Sequence, residues 1–456
     1  MTTLRLADIA TFTHGRLIGA DGVVSGVSTD TRTLRGGELF VALVGESHDA
    51  HAFVAQARER GAAAALVSRR VEVDLPQVLV RDTLLALGDL ASAVRAQRRA
   101  RVVGITGSNG KTTVKTLTAA VLQRHGRTHV TVGNLNNEIG LPLTVLALPE
   151  DAEFAVLEMG AGKPGDIAYL AAIGRPEVSL VNNIGPAHLE RMGSLDGIAQ
   201  TKGAIYSALP PDGVAVINAD DAYADYFTGL AGARRTLRFG LHSAAAVRAE
   251  GLTLDATTSR FDLVTPAGAI GVTLPLAGEH NVLNALAASA IAVALDVPLP
   301  TIKAGLEGAE HVKGRLLRHD LSAGWSVIDD SYNANPGSAA AAIATLALEN
   351  GEAWLVLGDM KELGPEAARL HTDIGALAKA RGIARLYSVG PLAQAASAAF
   401  GAGARHFSDQ TALIEALRAE LHAGVCCLVK GSRSSAMERV VAALLGKNGG
   451  GDAHAA

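Results

Sequence analysis

Residues 101–113 read RVVGITGSNGKTT: a β-branched run, a glycine-bracketed polar loop, then the start of a helical pattern. Gly107 and Gly110 let backbone N–H groups turn inward on an anion, and the following helix adds its positive end. Lys111 brings a mobile charge for the β- and γ-phosphates, and Thr112 a hydroxyl for Mg²⁺. The strict phosphate-loop spacing asks for glycine at 105, where the chain has Ile105. A chance Gly-Lys-Thr in a surface turn would lack the strand before it and the helix after it. The stretch therefore reads as an ATP cradle made of Gly107, Ser108, Asn109, Gly110, Lys111, Thr112 and Thr113.

Outward from this loop the pattern alternates. RVVGIT precedes VKTLTAAVLQRHG, and AVLEMG, VSLVNNIG and GVAVINAD follow at intervals. Such alternation predicts a parallel sheet wrapped by helices. A second series, WSVIDD, AWLVLGD, RLYSVG and CCLVKGS, begins near 314 and predicts a Rossmann-like C-terminal domain. The first ~80 residues mix short strand-like runs with one helical stretch, FVAQARERG. DTLLALGDLASAVRAQRR (82–99) predicts a helix and a natural hinge before the phosphate-loop strand. The expected fold class is thus α/β in three domains: a small N-terminal α/β domain over 1–82, a central phosphate-loop domain over 83–313, and a C-terminal domain over 314–456. The glycine-rich tail GKNGGGDAHAA reads as disordered.

Composition narrows the class. At 456 residues the chain suits two or three cores, and its net charge of −4 advertises neither nucleic acid nor an anionic membrane as partner. The longest apolar run, near 285–295, is far short of the ~20 residues that span a bilayer, and Asp8 interrupts any signal-peptide core. Cys426 and Cys427, adjacent in an apolar stretch, make neither a zinc pattern nor a disulfide framework. A soluble cytoplasmic enzyme is the expectation.

In an open parallel sheet, ligands bind beyond the carboxyl ends of the strands. Polar clusters follow the apolar runs in both series: GSNGKTT, EMGAG and NNIGPAHLE, then DDSYNANP, GDMKELG and KGSRSS. Two such rims predict a site in a cleft between domains. Glu158 ends one run, where a carboxylate would hold Mg²⁺ beside the phosphates, although a helix cap or surface charge is the plainer use. His188 follows another, and a lone histidine is more often a packing or hydrogen-bonding residue than a ligand, the more so for oxygen-preferring magnesium. Lys202, in AQTKGAIY, reads from composition and spacing as a solvated helix lysine.

The motifs TGSNGKTT, GNLNNEIGLPLT (133–144), VLEMGA, VNNIGPAHLERMGS, TKGAIY, GEHNVLNALAA (278–288), KGRL (313–316), DDSYNANP (329–336) and GDMKELG (358–364) occur in this order. Together they resemble the Mur ligases, from STDTR at 28–32 to KGSRSSAME at 430–438. The family's loop lacks the early glycine, so Ile105 agrees with it. The resemblance implies an ATP-dependent carboxylate–amine ligase acting through an acyl phosphate. It implies that Thr112 and Glu158 hold one Mg²⁺ and that His188 serves a second. It implies that Lys202 is carbamylated, turning a repelling ammonium into an anionic oxygen ligand. Asn281 would contact adenine, Arg315 would approach the terminal phosphates, and Asp330 would reach the ribose or lie near it. Standing alone, these three would read as a helix cap, a surface arginine and a turn aspartate.

Ser28, Thr29, Asp30, Thr31 and Arg32 match the stretch that meets a uridine diphosphate, continued by 37–53; a polar turn is the alternative. Asn134, Asn136 and Asn137 would bond a muramoyl-peptide, with caps and turns as the alternative. Asn333 and Asn335 would lie against an incoming D-Ala-D-Ala. Within the family the chain is most similar to the branch that adds this dipeptide to UDP-N-acetylmuramoyl-tripeptide. The sibling branch adding the third amino acid carries Asp-Asn-Pro-Arg, absent here. Folate polyglutamate ligases share the core but not the N-terminal domain. A regulatory phosphate-loop NTPase, hydrolysing nucleotide without ligating anything, is the alternative from a different class. A monomer with no nucleic-acid or membrane partner is the family expectation.

Overall fold

The computed structural model describes residues 3–45 and 48–446. Glu46 and Ser47 of the uridine-facing stretch, and the tail from 447, lie outside the described residues. Three sheets organise the chain, beside a two-stranded pair, Leu4–Arg5 with Val23–Val24. The first large sheet runs in the order Arg16–Ile18, Gln77–Leu79, Ala64–Val67, Leu39–Val41, Val27–Ser28, antiparallel at its first pair and parallel beyond.

The central unit carries, in chain order, α1 (Thr83–Ala96), β1 (Arg101–Thr106), α2 (Lys111–Leu122), β2 (Phe154–Glu158), β3 (Val178–Val181), α3 (Leu195–Ser207) and α4 (Glu279–Ala294). Its nine-stranded sheet runs Thr128–Val130, β2, β1, β3, Val214–Asn218, Arg235–Gly240, Val247–Leu254, Ser259–Thr265, Gly268–Leu274. The expected parallel sheet forms, and the last two strands add to it antiparallel. The reason is local. Only a few turn residues join these strands, too few for the crossover a parallel pairing needs. Ser259–Thr265 buries alternate residues, as an antiparallel strand with one wet face does.

The third unit comprises β4 (Ser326–Asp330), α5 (Pro336–Leu346), β5 (Glu352–Gly358) and β6 (Val425–Lys430) in a six-stranded sheet. Its order is Leu317–Asp320, β4, β6, β5, Arg385–Val389, Ala404–Phe407, parallel except at the first pair. The four strand runs read from the sequence all form. Leu317–Asp320 and Ala404–Phe407, which have little apolar signal, complete the edges. Successive residues of β6 face opposite layers. Cys426 packs with Leu355 and Ile343 on one side, Cys427 with Trp354 and Tyr387 on the other. Burial pushes the Cys426 thiol up to about 11 and raises Cys427 as well.

Helix α1 is capped by Asp82, whose carboxylate accepts from the N–H groups of Leu84 and Leu85. Its Leu87, Leu90 and Val94 are fully buried in one core with Leu39, Leu66 and Val78 of the first sheet and Val102, Leu141 and Ala155 of the central unit. What reads in sequence as a hinge is a packed wall between two units.

Candidate nucleotide and ligase site

The cradle begins where the hydrophobic strand ends. Ile105 is fully buried in β1, so the missing glycine belongs to the sheet and not to the loop. Gly107 and Gly110 have φ of 147° and 78°. A Cβ on Gly110 would lie 2.4 Å from Asn284 Oδ1 and 2.5 Å from Asn182 Nδ2, so only glycine fits. Lys111 opens α2 and donates to the Gly107 carbonyl at 2.8 Å, folding its ammonium across the loop. Its pKa is lowered by burial, against the pull of Glu158, with Arg315 lowering it further.

β2 pairs in parallel with β1 so that Glu158 stands beside Ile105, at the strand ends nearest the loop. Glu158 is 2% exposed. One of its oxygens accepts from Asn136 Nδ2 at 2.6 Å; the other accepts from Thr112 Oγ1 at 3.0 Å and lies 3.3 Å from Lys115 Nζ. Burial alone would raise this carboxyl, but Lys115, Lys111, Asn136 and Arg315 together hold it below the usual range. Lys115 escaped the sequence reading. It lies one helical turn beyond Lys111, on the same face of α2, and that spacing was the available signal.

A cleft of about 670 Å³ lies between the central and third units. Among the residues lining it are Ser108, Asn109, Gly110, Lys111, Thr112, Thr113, Asn134, Asn136, Asn137, Glu158, His188, Asn281, Arg315, Asp330, Asn333 and Asn335, which the sequence singles out, whereas Gly107 and Lys202, singled out with them, do not line it. Arg315 is aimed by a loop in which Gly314 and Leu316 both have positive φ. It stacks 4.5 Å above the Tyr332 ring, and its Nη2 donates to Thr112 Oγ1 at 3.0 Å. At the ends of β4 and β6, Lys430 donates to Asp330 Oδ2 at 2.6 Å and to the Asn333 carbonyl at 2.9 Å. Burial raises the Asp330 carboxyl and Lys430 opposes it. Lys430 lies in the KGSRSS cluster marked in the sequence, but was given no role of its own there.

His188 caps a short helix with φ of 57°, and its Nδ1 lies 2.5 Å from Glu362 Oε2 of the GDMKELG loop. Glu362 itself has φ of 62°. Two non-glycine residues in this conformation at one interdomain contact mark a locally strained junction. Burial pushes the His188 imidazole down, with Glu362 opposing.

Other expected residues fall differently. Asn137 Oδ1 accepts from the N–H groups of Ile139 and Gly140, serving the helix start that was its alternative. Asn281 donates to the Ala277 carbonyl and accepts from Asn284 Nδ2. Ser28, Thr29, Asp30, Thr31 and Arg32 do not line the cleft. They form a turn at the end of Val27–Ser28, closed by an Arg32–Asp30 ion pair at 2.7 Å and a Thr31–Gln56 hydrogen bond at 2.8 Å.

Lys202 is not a solvated lysine. It is 2% exposed in α3, and its ammonium nitrogen makes no hydrogen bond or ion pair among the described residues. Burial pushes its pKa well down, Lys111 adds to this, and Asp166 opposes. Burial thus favours the uncharged amine over the ammonium at this position. The donors near the loop are a hydroxyl, a carboxylate and backbone groups, the hard oxygens that magnesium takes. No group of three or more His, Cys, Asp or Glu is placed to cage a metal among the described residues.

Three family models match the chain: "Mur ligase family, catalytic domain" over 23–97, "Mur ligase middle domain" over 105–292, and "Mur ligase, glutamate ligase domain" over 314–433. The chain is 47% identical over 448 residues to the UDP-N-acetylmuramoyl-tripeptide–D-alanyl-D-alanine ligase of Escherichia coli K12, covering 97% of this chain and 99% of that one. It superposes on a crystal structure of MurF from Acinetobacter baumannii with a TM-score of 0.93 at 36% identity, covering 98% and 100%. The MurF ligase of Thermotoga maritima in complex with ADP matches with a TM-score of 0.83 at 28% identity, covering 92% and 97%.

Proposed function

The chain belongs to the Mur ligase family, and from that premise we propose that it joins D-Ala-D-Ala to UDP-N-acetylmuramoyl-tripeptide, using ATP and releasing ADP and phosphate. One observation carries the reading. Arg315 of the third unit reaches Thr112 of the phosphate loop, so the two strand-end rims share one cleft.

A carboxylate is a poor acyl donor because its oxygen leaves badly. Transfer of the γ-phosphoryl group to it gives an acyl phosphate. The dipeptide amine then attacks the acyl carbon, and phosphate departs from the tetrahedral intermediate. Both steps gather negative charge where Lys111 and Arg315 converge, and fixed positive groups there stabilise the transition states more than water would. Glu158, held by Asn136 and Lys115, accepts from the Thr112 hydroxyl and so fixes its orientation. Mg²⁺, held at Thr112 and Glu158 and, for a second ion, at His188 and a carbamylated Lys202, would supply charge neutralisation on the phosphates.

We assign the remaining contacts in the same reading. Adenine lies at Asn281, the ribose at Asp330, the muramoyl-peptide along Asn134, Asn136 and Asn137, and the uridine diphosphate at Ser28–Arg32. Asn333 suits the dipeptide, since its Nδ2 makes no hydrogen bond among the described residues while its Oδ1 is taken by Ala334 and Arg433 N–H groups. Residues 1–82, 83–313 and 314–456 are the corresponding functional units, and the working form is a cytoplasmic monomer. No helix among the described residues is long and apolar enough to cross a membrane.

Phosphate release measured with each substrate omitted in turn tests the reading. A ligase releases phosphate only with both the UDP-muramoyl-tripeptide and D-Ala-D-Ala present. Release from ATP alone at the full rate would instead mark a regulatory NTPase.

A further inference from the structure

Asn335 is held rigidly before it meets anything else. Its Oδ1 accepts from the Ser338 N–H at 2.9 Å, and the Ser338 hydroxyl accepts from the Asn335 N–H at 3.0 Å, a reciprocal cap on α5. Pro336 fixes the next φ. This leaves the amide nitrogen pointing away from the helix, where it donates to Asn109 Oδ1 at 2.7 Å.

Asn109 is just as constrained on its own side. Its N–H donates to Asn183 Oδ1 at 2.8 Å, and its carbonyl accepts from Asn182 at 3.0 Å and Asn183 at 3.2 Å. The next residue is Gly110, with its obligatory positive φ. On the other side, a Cβ on Gly337 would sit 3.1 Å from Asn109 Nδ2, so α5 approaches the loop closely. Two fixed backbones are thus joined by one side-chain bond, between residues 226 apart in sequence.

We propose that the Asn335–Asn109 bond is a latch through which docking of the third unit sets the phosphate loop, and that Asn335 is a positioning residue and not a ligand of the dipeptide. The kinetic part of the test rests on the ligase reading above; the exchange part does not.

Ser caps a helix about as well as Asn but has no amide to reach across, so Asn335→Ser separates capping from latching. The full-length variants Asn335→Ser, Asn109→Ala and the double variant are compared with the unmodified chain. Loss of one hydrogen bond is expected to lower kcat about threefold to tenfold in each single variant. The KM for D-Ala-D-Ala stays within twofold, and the double variant is no slower than the slower single one. Hydrogen exchange, read with Mg²⁺ and the ATP analogue AMPPCP present, rises at 337–340 in Asn109→Ala, although that residue lies in the other unit.

Costs that add in the double variant would overturn the latch. So would a raised dipeptide KM in Asn335→Ser alone, or unchanged exchange at 337–340 in Asn109→Ala. If the unmodified chain shows no dipeptide-dependent phosphate release, the ligase reading fails, and the exchange measurement still decides the latch.

Discussion

Lys202 shows how far a residue's surroundings can reverse its sequence reading. Its neighbours in AQTKGAIY suggest solvent, yet α3 turns it into the protein and gives it no anionic partner. Replacement with Ala is expected to lower ligation by about 10²–10³-fold, the usual effect of removing one charge-stabilising group. Labelling with ¹³C-bicarbonate should give a carbamate signal in the unmodified chain and none in the variant; an unaffected rate would end the idea. His280 offers a pH test. Its ring faces the cleft near Lys430, and burial, with Lys430 adding, lowers its pKa from 6.5 to about 4. Between those values the unfolded chain binds the proton more readily than the folded one. Stability from this group is therefore full above about 6.5 and lost as pH falls through 4. His280→Asn should flatten that part of the stability-against-pH curve, followed by urea midpoints. The glycine and lysine of the cradle were legible because their chemistry is tied to fixed spacing. Lys115 and Lys430 were not, because their importance lies in carboxylates, Glu158 and Asp330, reached only after the strands have paired.

At the scale of elements, the strands of both parallel series and helix α1 stood out as continuous apolar or 3.6-period patterns. The hairpin strands from Val247 to Leu274 did not, since half of their residues face water and their pairing depends on turns. Nor did the role of α1. Amphipathic spacing tells that a helix buries one side, not that Leu90 is buried in a core shared by two sheets. Leu90→Ala should destabilise the chain by about 2–5 kcal/mol. Because that core is common to both, the N-terminal and central units should lose stability together. Scanning calorimetry should show one shifted transition covering them; a shift confined to one of two separate transitions would contradict a shared wall.

Across the whole molecule, the cleft exists only because the third unit packs onto the central one. Arg315, Glu362 and Asn335 come from the former, and Thr112, His188 and Asn109 from the latter. Sequence order brought out both polar rims but not which residues would touch, since partners so far apart leave no local pattern. Arg315→Ala should lower kcat by at least about 10²-fold while the phosphate loop keeps its nucleotide, because the arginine acts on charge that develops in the reaction. Equilibrium binding of ADP within threefold of the unmodified chain, alongside the slowed turnover, is the expected result. The cysteine pair in β6 carries a practical consequence. Cys426 and Cys427 point into opposite layers, so they cannot oxidise to a mutual bridge without rupturing the strand, and their buried, proton-retaining thiols resist alkylation near neutral pH. With no other cysteine in the chain, a thiol introduced on an exposed face would take a fluorophore with little background. Dyes placed on either side of the cleft could then follow its opening and closing in the otherwise unaltered protein.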